Sequence, residues 1–157
     1  MRKIETLLNA YGESHQNSTN KLIHWFCVPL ILFCLIGFVK MIPSPFFSDS
    51  FLMSTEYIVF FLSVIYYLNL SGSLTIGFII VFFSMSYLNT KLEQVCDSLG
   101  WSYIMVIIII FVIAWIGQFI GHKIEGKKPS FMQDIQFLLI GPAWLLHFIY
   151  RKLNIAY

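Results

Sequence analysis

The sequence predicts an all-α protein that crosses a membrane several times. Hydrophobic residues make up 58% of its 157 residues and charged residues only 11%, with a mean hydropathy of +0.77. A soluble domain carries about a quarter charged residues. The apolar residues also form runs close to the ~20 residues that a helix needs to span a bilayer. We therefore expect a single integral membrane domain over residues 1–157.

Four apolar runs are predicted to be transmembrane helices, at about 22–42, 51–70, 74–90 and 101–121. A short Ser-Gly-Ser link joins the second span to the third, and residues 91–100 are predicted to be a polar connection between the third and the fourth. A fifth apolar segment, about 131–150, is interrupted by Gly141 and Pro142. Because each half is too short to span alone, the sequence predicts a broken, re-entrant or interfacial helix pair here.

The N-terminal arm, residues 1–20, is predicted to form a short amphipathic helix at the membrane surface. Its apolar residues recur at the spacing of one helix face, at Ile4, Leu7, Leu8 and Tyr11. Gly12 is expected to end this helix, and residues 17–20, Asn-Ser-Thr-Asn, offer N-caps for the first span.

The basic residues predict the topology. Four spans place both termini on one side together with eight Lys and Arg residues, and leave only Lys40 and Lys91 on the other side. The positive-inside rule then predicts cytoplasmic termini, and the short ends favour a bacterial inner membrane over the endoplasmic reticulum. The basic residues form no long stripe, so we expect no nucleic-acid partner. The three cysteines, an odd number, favour neither a disulfide framework nor a cysteine metal site.

The four histidines are the candidate functional residues: His15, His24, His122 and His147. All lie within a few residues of a predicted membrane boundary, where an unpartnered polar base is costly to desolvate. In the four-span topology, His24 at the start of the first span and His122 at the end of the fourth share the cytoplasmic boundary. His15 lies just before it, and a turn at residues 141–142 would return His147 to it. We expect one site.

Polar companions accompany two of these histidines. Asn20 lies four residues before His24, Gln118 lies four before His122, and Glu125 lies three after it. Imidazole is a common ligand for iron, zinc and copper, and its second ring nitrogen commonly hydrogen-bonds an amide or carboxylate. Lys127 and Lys128 are weaker candidates for binding a substrate carboxylate. The chain contains no HExxH, CxxC, GxSxG or P-loop motif, and spacing alone leaves iron and zinc both open.

Three segments carry a resemblance to a known family: residues 11–15 (YGESH) with Asn17, Asn20 and His24 ahead of Pro29; residues 115–122 (WIGQFIGH) with Glu125 and Pro129; and Gly141-Pro142 before His147. The chain resembles, over essentially its whole length, the small membrane proteins typified by the fungal 2-hydroxy fatty acid dioxygenase of phytosphingosine breakdown, a family with bacterial members. The second and third spans match in hydrophobicity only.

The resemblance implies an iron(II)-dependent dioxygenase that uses O2 to shorten a 2-hydroxy fatty acid by one carbon. Carried over by position, it implies iron ligands or essential residues at His15, His24, His122 and His147, with support from Asn20, Gln118 and Glu125. Three other hypotheses stay open: a transporter or proton channel, a lipid-binding protein, and a zinc-dependent lipid hydrolase.

Overall fold

The computed structural model describes residues 3–44, 54–126 and 131–157, and every regular element within these ranges is a helix. The helices are α1 (Lys3–Glu13), α2 (Ser18–Lys40), α3 (Thr55–Leu68), α4 (Gly72–Leu99), α5 (Tyr103–Glu125) and α6 (Phe131–Lys152). The predicted all-α class is confirmed.

Three of these helices, α2, α4 and α5, are long and apolar enough to cross a membrane. Helix α3 is apolar but has only 14 residues, which gives a length of about 21 Å. The predicted second span begins at residues 51–53, which lie outside the described residues. Membrane association therefore follows from three helices, and the count of four spans stays a prediction.

Helices α2 and α5 pack antiparallel through three glycines. A Cβ atom on Gly117 would lie 2.6 Å from Cys27 Sγ, and one on Gly121 would collide with Asn20 Oδ1. Towards the other end of the pair, a Cβ on Gly37 would lie 2.5 Å from Ile107 Cδ1. Small residues permit this close backbone approach. The first turns of α2 and the last turns of α5 consequently lie at the same end of the bundle.

The predicted amphipathic arm is helix α1, which ends at Glu13, one residue beyond Gly12. Its buried residues Ile4, Leu8 and Tyr11 lie in one apolar core with residues of α6, among them Ile140, Ala143 and Trp144. The predicted N-cap is confirmed, because Asn17 Oδ1 accepts the Thr19 N–H at 2.8 Å. Helix α1 thus packs its apolar face against α6.

The predicted polar connection at residues 91–100 is wrong. Helix α4 continues to Leu99 and ends at Gly100, whose φ of 68° is a left-handed conformation. Its polar last turns are tolerated because Cys96 is fully buried against the apolar side chains of α2 and α5, while Glu93 forms an ion pair with Lys40 at 2.7 Å. Amphipathic packing, rather than mean hydropathy, sets the length of this helix.

The predicted break at Gly141 and Pro142 is also wrong, since α6 is one helix from Phe131 to Lys152. Proline removes a backbone donor and crowds the preceding turn. The hydroxyl of Tyr67 donates to the backbone carbonyl of Leu139, three residues before the proline, and so holds this part of α6 against α3. A Cβ on Gly141 would lie 3.3 Å from Val28 Cγ1, so the glycine permits close packing on α2.

Candidate metal centre

Three histidines from three parts of the chain converge at the end of the bundle that α2 begins and α5 ends. His15 lies in the turn between α1 and α2, His24 in α2 and His122 in the last turn of α5. One ring nitrogen of each lies within 4.8 Å of the others. The ring centroids are 4.2 Å apart for His15 and His24, and 5.0 Å apart for His24 and His122. This spacing allows the three imidazoles to share one metal ion.

Residues of α1 and α6 orient the His15 ring. Its Nδ1 donates to the Tyr11 carbonyl at 2.6 Å, which leaves Nε2 as the lone-pair nitrogen. The Tyr11 ring stacks on the imidazole with centroids 4.2 Å apart, and Trp144 lies 5.3 Å away. His15 Nε2 is buried and has no hydrogen-bond partner within the described part of the chain. A buried acceptor of this kind is costly unless a ligand satisfies it.

His24 is oriented in the same way, by a backbone carbonyl one turn earlier. Its Nδ1 donates to the Asn20 carbonyl at 2.9 Å, so its Nε2 also carries the lone pair. The Asn20 side chain, predicted to support His24, hydrogen-bonds elsewhere. Its Nδ2 donates to the Ser14 carbonyl at 3.2 Å and to Glu125 Oε2 at 3.0 Å.

The Glu125 carboxylate joins the end of α5 to the turn that carries His15. Oε1 accepts the Gln16 N–H at 2.8 Å, while Oε2 accepts the Asn17 N–H at 2.9 Å and the Asn20 side-chain amide. Charge-assisted bonds of this kind are roughly twice as strong as neutral ones. Glu125 therefore positions the α1–α2 turn, and with it His15, beside His122.

Electrostatics keep the His15 imidazole neutral. Burial lowers the pKa of His15 to about 4, and the neighbouring charges of His122 and Lys21 act in the same direction against the opposing Tyr11 and Glu125 contributions. A neutral imidazole is the form that binds a metal. At neutral pH the ring therefore presents its Nε2 lone pair.

The structure does not bring His147 into this group. Its Nδ1 is hydrogen-bonded to the Tyr157 hydroxyl, and their ring centroids are 5.1 Å apart. It lies instead on a cavity that His15 also lines. Burial and then the positive charge of Arg151 lower the pKa of His147. Because α6 is continuous, no turn after Pro142 redirects the ring towards the other three histidines.

The remaining predicted residues are placed as follows. Gln118 is buried one turn before His122, and Lys127 and Lys128 lie outside the described residues. Tyr11 and Trp144 also contact His15, although no sequence pattern had indicated them as site residues. The sequence could have indicated Tyr11, because it lies four residues before His15, the same spacing that places Asn20 before His24. Trp144 reaches His15 only through the packing of α6 on α1, which no local pattern reports.

The donor set fits a first-row transition metal. Imidazole nitrogens suit iron, zinc, copper and nickel, whereas magnesium and calcium prefer oxygen ligands. In both His15 and His24 a backbone carbonyl holds the Nδ1–H and leaves the Nε2 lone pair as the possible metal ligand, the arrangement that metal-binding histidines typically show. The molecule is thus a helical membrane-associated protein with a three-histidine candidate metal site at one end of its bundle.

Comparison with known proteins identifies the family. The model of the Mpo1-like family, described as 2-hydroxy-palmitic acid dioxygenase Mpo1-like, matches residues 1–153. The chain belongs to this family, which confirms the resemblance seen in the sequence. It is 26% identical to the 2-hydroxy-palmitic acid dioxygenase MPO1 of Saccharomyces cerevisiae, over 96% of this chain and 82% of the yeast protein. No solved structure matches the chain significantly.

Proposed function

We propose that this protein is an iron(II)-dependent dioxygenase that converts a 2-hydroxy fatty acid to the fatty acid one carbon shorter. The convergence of His15, His24 and His122 carries this proposal. The yeast relative is named for a dioxygenase acting on 2-hydroxy-palmitic acid, which supports the same reaction class and substrate class here. In the overall reaction the C1–C2 bond breaks, one O2 is consumed, and C1 leaves as carbon dioxide together with one water.

In this proposal the three imidazoles hold the metal through Nε2 of His15 and of His24 and a ring nitrogen of His122. Iron(II), when bound, supplies the electrons that O2 activation requires. The carbonyls of Tyr11 and Asn20 hold the Nδ1 protons of His15 and His24, so the ligand tautomers are fixed before metal binds. Glu125 keeps the α1–α2 turn against α5.

The protein around the site limits access of water. His15 and His24 are 2% and 1% exposed, and the His15 ring is covered by Tyr11 of α1 and by Trp144 of α6. Exclusion of water strengthens electrostatic interactions and protects reactive species from side reactions. Gln118 and Asn20, both buried, are proposed to support the site as positioning residues.

We further propose that the site lies at the cytoplasmic boundary of a bacterial inner membrane. The distribution of basic residues supports cytoplasmic termini. His24 and His122 lie at the matching ends of two apolar, membrane-length helices. The substrate then approaches from the lipid, with its polar head at the boundary and its acyl chain along the apolar helices.

The test is an anaerobic metal analysis of the purified full-length protein, followed by incubation with 2-hydroxypalmitate in air. We expect bound iron and O2-dependent formation of the shortened acid. His15→Ala, His24→Ala and His122→Ala should lose the metal while retaining a helical circular dichroism spectrum. His147→Ala is the matched control, because this ring lies outside the group of three, and it should retain the metal.

Other outcomes distinguish the competing hypotheses. Bound zinc with hydrolysis that does not need O2 would indicate a lipid hydrolase. Absence of any bound metal, with no loss of 2-hydroxypalmitate after iron(II) is added, would refute the proposal and favour a lipid-binding protein. Metal-independent ion flux in liposomes would favour a transporter. Loss of metal in His147→Ala would restore the four-histidine ligand set that the sequence predicted.

A further inference from the structure

A cavity of about 290 Å³ opens beside the candidate metal centre, between α1, the start of α2 and the last turns of α6. Its volume lies just below the ~300 Å³ at which pockets for drug-sized ligands begin. The cavity is therefore large enough for a polar head and the first carbons of a chain, while a long acyl chain would extend beyond it. His15 lines the cavity, so the space adjoins one of the proposed ligands.

The walls of the cavity combine cationic and apolar groups. Two cations, Lys21 and Arg151, line it together with one carboxylate, Glu13. The apolar part of the lining is formed by Trp144 and Phe148, whose ring centroids lie 4.7 Å apart. Two cations against one carboxylate leave the lining positively charged, and together with the aromatic surface this fits an amphipathic anion.

Arg151 is the group best suited to bind a carboxylate here. It follows His147 by one helical turn, so both side chains leave α6 on the same face. Arg151 is exposed and forms no ion pair with any side chain that the structure describes. Its planar fork of donors matches a carboxylate in a bidentate manner, which an ammonium group does not.

Phe148 lies where an acyl chain could leave the cavity. Its ring is half-buried and lies 6.3 Å from the ring of Trp25. Trp25 is 38% exposed on the surface of α2, next to Phe26 at 66%. An apolar path thus leads from the cavity to the lipid-facing surface of a membrane-length helix.

We propose that this cavity binds the ionised head of the fatty acid, with Arg151 as the residue that recognises the carboxylate. The assignment rests on the proposed function for the identity of the acid. Lys127 and Lys128, the residues that the sequence offered for this role, lie outside the described residues, whereas Arg151 adds a site on α6, none of whose described side chains belongs to the histidine group. The acid group then lies between Arg151 and His15, and the chain leaves past Phe148.

Equilibrium binding to the purified full-length protein under anaerobic conditions tests this inference without turnover. Two probes are compared: 2-hydroxypalmitate and the matching 1,2-diol, in which a hydroxymethyl group replaces the carboxylate. Arg151→Gln should weaken binding of the acid about tenfold, as expected for one charge-assisted contact at an exposed position. It should leave binding of the diol unchanged, and Arg151→Lys should restore part of the loss.

Lys152→Gln provides the matched control, because Lys152 is the adjacent residue, is exposed, undergoes the same charge change and does not line the cavity. Equal acid affinities for Arg151→Gln and Lys152→Gln would overturn the proposal. So would equal weakening of acid and diol, or displacement of the acid by phosphatidylglycerol at equal concentration, which would indicate a general anionic lipid site.

The same samples separate the two proposals. Arg151-dependent binding of the acid without O2-dependent turnover would refute the dioxygenase function and retain the carboxylate site. Turnover of 2-hydroxypalmitate with an unchanged KM in Arg151→Gln would refute the carboxylate site and retain the dioxygenase function. The metal content of Arg151→Gln should equal that of the unmodified protein, since Arg151 contacts none of the three clustered histidines in the proposed arrangement.

Discussion

The carboxylate of Glu125 accepts a hydrogen bond from the side-chain amide of Asn20 at 3.0 Å, across 105 residues of sequence. Asn20 lies in the first turn of α2, and Glu125 is the last residue of α5. The same carboxylate accepts two backbone N–H groups of the turn between α1 and α2. One side chain therefore determines how the segment that carries His15 meets the helix that carries His122.

Removal of this carboxylate should weaken both the fold and the metal site. Glu125→Ala removes the acceptor of three hydrogen bonds, two of them at exposed positions where water can take its place, and we expect a loss of about 1 kcal/mol in the free energy of unfolding. Iron affinity should fall about tenfold or more, as for other residues that position metal ligands. Denaturant unfolding and metal titration measure the two effects.

Glu93→Ala is the control for this variant. Glu93 forms its ion pair with Lys40 at the other end of the bundle, with a side chain that is 42% exposed. An exposed pair contributes about 0–1 kcal/mol, so iron affinity should not change. Equal iron affinities of the Glu125 and Glu93 variants would contradict the positioning role.

Two glycines of α5 offer a matched pair of substitutions. A Cβ on Gly121 would collide with Asn20 Oδ1 and lie 3.4 Å from His24 Cε1, whereas one on Gly117 would lie 2.6 Å from Cys27 Sγ. Both Gly→Ala changes overpack the α2–α5 contact, which costs about 1–3 kcal/mol. Only Gly121→Ala should also lower iron affinity. Loss of iron in both variants would mean that the site depends on helix spacing in general.

The hydrogen bond from Tyr67 to α6 should contribute to the stability of the proline-containing helix. Tyr67→Phe removes the donor to the Leu139 carbonyl, and we expect a loss of about 1–2 kcal/mol in unfolding free energy. Tyr66→Phe removes the same atom from a partly buried neighbour and should have a smaller effect. Faster amide exchange around Pro142 in Tyr67→Phe alone would locate the effect on α6.

Asn89 should matter for stability and not for the site. It is fully buried; its Nδ2 donates to the carbonyls of Phe33 and Met85, each at 3.0 Å, and its Oδ1 accepts from the Tyr103 hydroxyl at 2.7 Å. Asn89→Leu should lower the free energy of unfolding by about 1–3 kcal/mol. A double-mutant cycle with Tyr103→Phe should show coupling between the two residues. Iron content should remain that of the unmodified protein, and its loss would contradict the separation of the two polar regions.

Local patterns in the sequence predicted the helices well where burial follows one face. The spacing of Ile4, Leu8 and Tyr11 identified the buried face of α1, and Asn17 was correctly expected among the caps of α2. Predictions failed where packing between helices overrides local composition. Helix α4 continues through its polar last turns because Cys96 packs against two other helices. Helix α6 continues through Pro142 as one helix, and the Tyr67 hydroxyl holds it against α3.

The sequence by itself determined the all-α class, the membrane-length helices and the positions of four histidines near helix ends, because hydrophobicity and helical spacing are properties of neighbouring residues. Only the tertiary structure decided which histidines meet. His15, His24 and His122 come together through the antiparallel packing of α2 on α5 and the Glu125 contacts, while the Tyr157 hydrogen bond holds His147 on a neighbouring cavity. Convergence depends on contacts between residues about a hundred positions apart, and such contacts leave no periodic signal in the chain.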